Sequence, residues 1–561
     1  MSGKVSSLTH MRAHARKDAW FEVTVVRTNL MPTIPGGVSG LFHKLAALFF
    51  SDDGRDFSMS GCQVKLPNGE SRLIFCDIAI AIADEAALHA MYACKGTSGL
   101  KPCLLCTNVY NRKVDRLDRN IVLRDATKST VYHTEEDIDR CTFATTDVIL
   151  AICDRLKAQH AVLGVTKFRE LETKLGWKLE PDAVMFCEKF NRRLSPARIA
   201  VYDGCHILFV NGIFNHHAGH FLRSVKAANV RPAITPEVIG DYAKLWNFPT
   251  RISSAITPSD AFGEARLRSS MKKGELKCTA SEGLSLVPVI AQYCESLNRH
   301  PSPVVRLHAQ LFLDFADIVN QLMRSNRKLM DKAETQSKVT TYITDYKATY
   351  GADEVFPKFH QLGHLSKYAF DQLPFCFVHE RKHKTIKKYA NPVFNTSHDW
   401  DASILREVTC QHIERMAGAD STLFSESAGL VHPHAPSRRM RQSILAALGD
   451  EFAAATLMTS RHARVNKYEH ASIGDIVLVG HDNPPIIGRI VFHISVKVDE
   501  LVELVSLVDE FTVLEVQNRA WKCRGAGTQT FIDMSDIVCC LTSAGTDVLT
   551  VLKPLVALPI P

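Results

Sequence analysis

Residues 71–90, SRLIFCDIAIAIADEAALHA, decide the expected fold of the first part of the chain. Up to Ala83 the stretch is almost continuously apolar, which is typical of a central strand buried on both faces of a sheet. The stretch Ser60–Leu66 precedes it, and the Pro-Asn-Gly turn signal between them at 67–69 predicts a hairpin. Asp84 ends the strand, and a helix is predicted to follow.

Asp84 has two interpretations. A side chain at the carboxyl end of a strand in an open α/β sheet lies at the edge where ligands and metals bind. The same aspartate is also placed to cap the helix that follows, since Asp is a preferred N-cap residue. Taken alone, Asp84 fits the N-cap better.

The strongest local motif is CKGTSGLKPCLLC at residues 94–106. A Cys-x2-Cys pair after Gly and Pro is typical of a zinc knuckle, in which a turn directs two thiolates at one tetrahedral ion. Cys103 and Cys106 supply half of such a site, and Cys94 is predicted to be the third ligand. The fourth stays open between His133, Cys141 and other residues, and the alternative is a pair of reduced, buried thiols.

The tetrapeptide Asp203-Gly-Cys-His206 follows a predicted strand at Ile199–Tyr202. An Asp and a His three residues apart can share one site, either as ligands or as a hydrogen-bonded pair that orients the end of the strand. A buried Asp–His pair that only stabilises the fold is the alternative.

Residues 375–389, FCFVHERKHKTIKKY, predict a basic helix around Glu380. In one interpretation Glu380 is a metal-binding carboxylate and its basic neighbours grip a phosphate backbone. In the other, Glu380 pairs with Lys384 one helical turn later. The candidate DNA-binding side chains are Arg381, Lys382, Lys384, Lys387 and Lys388.

Composition limits the class of protein. The chain has 561 residues, 23% of them charged, and a formal net charge of +7. This mild basic excess excludes an all-basic DNA-coating protein and an acidic solvating one. The scattered cysteines and the absence of a secretory signal or a charge-free apolar stretch of about 20 residues predict a soluble intracellular protein.

Taken in order, five pieces of the chain resemble one family. They are Asp84 at a strand end, KGTSGLKPCLLCTNV, YDGCHILFVNGIFN, FPKFHQLGHLSKY and FCFVHERKHKTIKKYAN. The set resembles the catalytic region of eukaryotic cut-and-paste transposases with an RNase H-like DDE core, of the CACTA (En/Spm-like) and Kyakuja-Dileera-Zisupton groups. The resemblance spans residues 20–395.

In that family one Asp sits on the first core strand, a second Asp ends a later strand, and a Glu lies on a helix. The resemblance implies that Asp84 is the second acid and Glu380 the third, both holding Mg²⁺. It makes Asp203 and His206 the signature of a Cys- and His-containing insertion, and the Cys-x2-Cys pair zinc ligands.

The resemblance also implies a fold and a division of the chain. The expected fold is an α/β RNase H-like core with a Cys/His-containing insertion and a helical insertion. Short strands near the end of the chain predict an added small all-β barrel of SH3-like size. The expected segments are 1–93 (start of the core), 94–198 (zinc-knuckle region), 199–235 (Asp-x2-His segment), 236–350 (helical insertion), 351–395 (core-closing segment with Glu380), 396–462 (linker and helix) and 463–561 (barrel).

The chain departs from the family pattern at its beginning. The first acid should lie before the predicted strand Trp20–Arg27, yet residues 1–19 hold one acid, Asp18, with no apolar strand leading to it. The sequence therefore predicts an N-terminally truncated core without its first strand and first catalytic Asp. Since two Mg²⁺ ions about 3.5–4 Å apart carry out phosphodiester chemistry in such sites, losing one carboxylate predicts impaired catalysis.

Three hypotheses follow from the sequence. The first is a DDE-type DNA transposase, a polynucleotidyl transferase with structural Zn²⁺ and catalytic Mg²⁺. The second is a non-catalytic, zinc-stabilised DNA-binding or interaction protein, a domesticated or degenerate remnant of such an enzyme. The third is an unrelated zinc protein. The expected partner is DNA, with a homo-oligomer left open and no membrane partner, and the resemblance implies a nuclear location.

Overall fold

The computed structural model describes most of the chain and divides it into two units. The described residues are 2–5, 21–26, 28–50, 56–65, 68–111, 130–253, 257–325, 330–367, 386, 400–417, 428–449, 452–465, 469–480 and 486–554. The first unit combines Met1–Ile213 with Lys332–Ile413, and the second combines Phe214–Asp331 with Glu414–Pro561. Each unit is therefore built from two separate lengths of chain.

The first unit mixes helices with short strand pairs. Its α-helices are Gly37–Phe50, Glu85–Met91, Thr146–His160, Val165–Leu175, Pro196–Ile199, Gly204–Leu208, Lys332–Tyr350, Pro357–Lys367 and the start of Trp400–Ala417. Its antiparallel pairs are Ser2–Val5 with Phe21–Val25 and Cys62–Lys65 with Ser71–Ile74. Its parallel pairs are Ala81–Ala83 with Ala200–Tyr202 and Val109–Tyr110 with Val131–Tyr132.

The predicted hairpin in the first unit is confirmed, but the prediction that its second strand continues as a buried strand to Ala83 is wrong. The strand ends at Ile74, and all four of its residues are exposed. The chain then leaves the ladder, with the Cys76 N–H donating to the Phe57 carbonyl at 3.0 Å. Pairing resumes only at Ala81–Ala83. The apolar stretch from Ser71 to Ala83 therefore forms two short strands and not one long strand, and its first part lies at the surface.

The predicted helical region at 236–350 is helical over most of its described residues, and it belongs to both units, since Lys332–Tyr350 lies in the first. In the second unit the helix Pro303–Arg324 has 22 residues. The other helices of that unit are Ile213–Ala227, Pro236–Lys244, Thr250–Ser253, Glu264–Lys273, Ala280–Leu297 and Arg438–Leu448. The last of them lies in the predicted linker and helix segment at 396–462, where Thr456–Ser460 is a strand.

The second unit also contains a large antiparallel sheet. Its pairing order is Ile537–Leu541, Ile476–Val479, Ile486–Val498, Leu501–Val516, Ala520–Asp533, Val548–Leu552, Ser543–Ala544 and Trp246–Asn247. Thr456–Ser460 pairs with Ile486–Val498 off this path. A second, three-stranded sheet contains Gly429–Val431, His462–Arg464 and His470–Ser472.

The predicted SH3-like barrel is wrong. Among the described strands, Ile537–Leu541 and Trp246–Asn247 stand at opposite ends of the pairing order, and the sheet does not close. The strands are also longer than the short strands that were predicted, since Leu501–Val516 has 16 residues and continues through the polar Asp509 and Glu510. Both acids are half-exposed, so the strand tolerates them at its surface. The mixed α/β class is confirmed, and an RNase H-like core stays a prediction.

Candidate metal centre

The Cys-x2-Cys knuckle, residues 103–106, lies in the interior of the first unit. Cys103 and Cys106 are 5% and 4% exposed. The backbone N–H of Leu105 donates to Cys103 Sγ at 3.3 Å, and Cys106 bridges to Phe143 in a neighbouring loop. The turn thus holds both sulfurs on the same side, as a metal knuckle does.

Two further donors come from a distant helix, Pro357–Lys367, called the histidine helix below. Its His360 and His364 lie four residues apart and therefore project from one face. His364 Nε2 is 3.3 Å from Cys103 Sγ, 3.4 Å from Cys106 Sγ and 3.1 Å from His360 Nε2. The donor atoms of all four buried side chains lie within 4.8 Å of one another.

This Cys2His2 group is compatible with a structural metal such as zinc. Two sulfur and two imidazole ligands around one point are a common structural zinc set. Zinc binding requires thiolates, and their formation is electrostatically favoured at one position. Burial opposes it, yet a hydrogen bond with Cys106 and the charges of His364 and His360 hold the pKa of Cys103 well below its ordinary value.

The opposite shift occurs at His360. Burial by itself disfavours its charged form, but the negative charge of the Cys103 thiolate and the hydrogen bonds that the ring donates to the sulfurs of Cys103 and Cys141 raise the pKa of His360 to about 10. The thiolate of Cys103 and the charged form of His360 thus favour one another. A metal cation bound by the sulfurs would satisfy the same negative charge.

Cys94, predicted as the third ligand, lies outside this group. It forms an isolated bridge with Trp177, and its Sγ donates to the Gly176 carbonyl at 3.2 Å. Burial raises the pKa of its thiol to about 12, which keeps the thiol protonated. Of the two candidates for the fourth ligand, His133 Nε2 contacts the Val355 carbonyl at 3.1 Å. Cys141 lies 3.9 Å from His360 Nδ1, beside the group.

Neither histidine of the group was among the predicted ligands. His360 and His364 stand in FPKFHQLGHLSKY, one of the five pieces that carry the family resemblance. A His-x3-His spacing on a predicted helix is itself a metal-binding signal, because both rings reach the same point. That signal was present in the sequence.

A second polar group lies at the edge of the parallel strand pair. Ala83 and Tyr202 are register partners in that pair, so the residues after them, Asp84 and Asp203, leave the two strands at the same edge. The His206 ring lies between the two acids, with Nδ1 2.5 Å from Asp203 Oδ2 and Nε2 4.0 Å from Asp84 Oδ2. The donor atoms of Asp203, Cys205 and His206 also lie within 4.8 Å of one another.

Both acids at this edge cap helices. Asp84 Oδ1 accepts from the Ala87 N–H at 2.6 Å, which is the N-cap that the sequence favoured. Asp203 accepts from the N–H groups of Cys205 and His206 at 3.0 and 3.1 Å. The two side chains differ in access, since that of Asp84 is 42% exposed and that of Asp203 is fully buried.

The strand edge is attached directly to the Cys2His2 group. Tyr202, the residue before Asp203, places its hydroxyl 3.6 Å from Cys103 Sγ and accepts from the Leu104 N–H at 2.9 Å. The histidine helix adds a second attachment, since Lys358 Nζ donates to the carbonyls of His206, Val210 and Asn211 at 2.7–2.9 Å. Tyr202 and Lys358 thus connect the strand edge to the Cys2His2 group and to the histidine helix.

The remaining predicted site residues lie outside the described residues. These are Glu380, Arg381, Lys382, Lys384, Lys387 and Lys388. The predicted convergence of Asp84 and Glu380 on one Mg²⁺ site stays a prediction.

In comparisons with known proteins, no protein-family model, curated protein or solved structure matches this chain. Among the described helices, none combines the length and the apolar character that crossing a bilayer requires.

Proposed function

We propose that this chain is a transposase-derived protein that acts on DNA, in which a structural zinc ion at Cys103, Cys106, His360 and His364 holds an acid-bearing strand edge in place. The observation that carries the proposal is the exit of Asp84 and Asp203 from adjacent parallel strands at one edge. The transposase resemblance, taken from the order of the sequence motifs, supplies the reaction class.

The strand edge favours a revised assignment of the acids. In the family that the chain resembles, one Asp sits on the first core strand and another ends a later strand. Asp84 and Asp203 fit these two places, since they follow paired parallel strands. With Glu380 as the third acid, this assignment needs no acid before Trp20. Carboxylate oxygens are the ligands that Mg²⁺ prefers, and two bound ions would activate the attacking oxygen and stabilise the leaving one.

The test is metal-dependent cleavage of DNA by the full chain. With Mg²⁺ or Mn²⁺ supplied, we expect nicking of supercoiled plasmid, and we expect Asp84→Asn to lower the rate at least about 100-fold because a metal carboxylate is lost. Glu70→Gln is the matched control, since Glu70 is a surface acid with 60% of its side chain exposed. Equal nicking by Asp84→Asn and wild type would remove Asp84 from the reaction.

The second candidate is a zinc-stabilised protein that binds DNA without cleaving it. One observation favours it: the Asp203 carboxylate is fully buried and already accepts from two backbone N–H groups and the His206 ring. A carboxylate so engaged has little capacity left for a metal ion. Salt-sensitive DNA binding without nicking in either metal would support this candidate over the enzyme.

A test of the basic segment at 381–388 distinguishes both candidates from a protein that does not bind DNA. Changing Arg381, Lys382 and Lys384 together to Ala should weaken DNA binding and flatten its salt dependence, because three phosphate contacts are lost. The control changes an exposed basic group of the second unit, Arg268, Lys272 and Lys273. Unchanged binding by the first triple variant would contradict the DNA-binding assignment of the segment.

A further inference from the structure

A fifth donor stands beside the Cys2His2 group. Structural zinc takes four ligands, and Cys103, Cys106, His360 and His364 already supply four. Cys141 is 1% exposed, and its Sγ lies 3.9 Å from His360 Nδ1. Cys141 also forms a side-chain hydrogen bond with Cys106, so its sulfur lies against two of the four donors.

We propose that Cys141 is a positioning residue of the zinc centre, whose sulfur accepts the Nδ1–H of His360 while Nε2 of the same ring binds the metal. The inference rests on the zinc centre proposed above. His360 Nε2 faces the other donors, being 3.1 Å from His364 Nε2. A neutral imidazole that binds through Nε2 carries its proton on Nδ1, and the partner of that proton fixes both the tautomer and the ring orientation.

The loop around Cys141 is fastened to the knuckle by hydrogen bonds that keep the thiol in place. The 3-10 turn Ile138–Arg140 ends at Cys141, whose N–H donates to the Ile138 carbonyl at 3.0 Å. Asn108 joins the loop to the chain beyond the knuckle: its Oδ1 accepts from the Thr142 N–H at 2.7 Å and its Nδ2 donates to the Arg140 carbonyl at 3.0 Å. These hydrogen bonds hold the loop, and with it the sulfur of Cys141, in a defined position beside His360.

A competing arrangement has Cys141 as a ligand in place of His360. The two arrangements differ in the number of thiolates on the metal, which is two if Cys141 positions His360 and three if Cys141 binds. Cobalt(II) in the zinc position reports this number, because the intensity of its sulfur-to-metal charge-transfer band rises with each thiolate.

The experiment compares the full-length wild type with Cys141→Ala and Cys141→Ser. Cys153→Ser is the matched control, since Cys153 is also 1% exposed in the first unit and lies on the helix Thr146–His160. Each protein is loaded with Co²⁺ for the charge-transfer band and with Zn²⁺ for affinity by chelator competition. We expect Cys141→Ala to lower zinc affinity about 10- to 100-fold with an unchanged cobalt band, as losses of such ligand partners do.

Cys141→Ser should recover part of the affinity, because a hydroxyl oxygen can accept the same N–H. This rescue separates positioning from a general loss of packing, which Cys153→Ser measures. Wild-type affinity in Cys141→Ala, or a cobalt band that falls by about one third as three thiolates become two, overturns the inference. A wild-type chain that binds neither metal refutes the zinc centre itself, which is a different result.

Discussion

In the second unit three neighbouring strands of 13, 16 and 14 residues pair along most of their length, whereas strand pairs in the first unit are two to five residues long. The second unit buries apolar clusters such as the one around Ile487, Val551 and Cys523. In the first unit the buried Cys2His2 group joins two distant segments, the knuckle and the histidine helix. We therefore expect the first unit to depend on the proposed zinc ion, and the second unit to be independent of it.

Removal of zinc should give the largest effect and should be confined to the first unit. Structural zinc contributes about 10–16 kcal/mol of apparent binding energy in small zinc peptides, and that energy is folding energy. We expect chelation, or Cys103→Ser, to abolish hydrogen-exchange protection in the knuckle and the histidine helix. Strands Ile486–Val498 and Leu501–Val516 should stay protected. An equal loss of protection in both units would contradict the expectation that only the first unit depends on zinc.

The reverse case is Phe312→Ala in the second unit. Phe312 is fully buried, and its ring centroid lies 5.6–6.3 Å from those of Phe221, Phe315 and Phe214. Removing such a ring typically lowers the free energy of unfolding by about 3–5 kcal/mol. We expect urea denaturation to show this loss in the second unit, while metal analysis still finds the wild-type zinc content. Loss of zinc when Phe312→Ala destabilises the second unit would show that zinc binding and the stability of that unit are coupled.

Acid should weaken the second unit through His493. This buried side chain contacts the Ala471 carbonyl through Nε2 at 3.1 Å and Ser506 Oγ through Nδ1 at 2.7 Å. Burial lowers the pKa of His493 to about 4. The unfolded chain binds a proton at this histidine below its pKa of about 6.5, whereas the folded chain does so only below pH ~4. As the pH is lowered between these two values, the free energy of unfolding should therefore decrease by up to about 1.4 kcal/mol per pH unit.

The check is urea denaturation at pH 7 and pH 5, followed by hydrogen exchange in the second unit. His493→Gln keeps a neutral donor and acceptor, and it should flatten the dependence on pH. The same slope in wild type and His493→Gln would assign the acid sensitivity to another group.

The smallest effect concerns the cap at the strand edge. Asp84→Ala removes the acceptor of the Ala87 N–H and should cost about 1 kcal/mol in the first unit, as the loss of an N-cap does. Asp84→Asn keeps an acceptor and should stay within a few tenths of a kcal/mol of wild type. Thermal denaturation of both variants measures the difference. Equal stability of Asp84→Ala and Asp84→Asn would mean that the cap contributes nothing measurable.

Local patterns in the sequence predicted local structure. The hairpin Cys62–Lys65 with Ser71–Ile74 and the N-cap at Asp84 were both foreseeable, because each depends on neighbouring residues. The Cys-x2-Cys pair likewise predicted half of the metal group. The predicted barrel failed, because strand ends were inferred from polar residues that lie on the surface of longer strands.

By itself, the sequence determined the periodicity, the turns, the caps and the knuckle, all of which arise from side chains a few positions apart. Only the tertiary structure decided that His364 meets Cys103 across a separation of 261 residues, and that Asp84 and Asp203 share one edge. Local propensity cannot specify such contacts. They depend on which buried faces pack together, and on whether each polar donor taken from water finds its partner there.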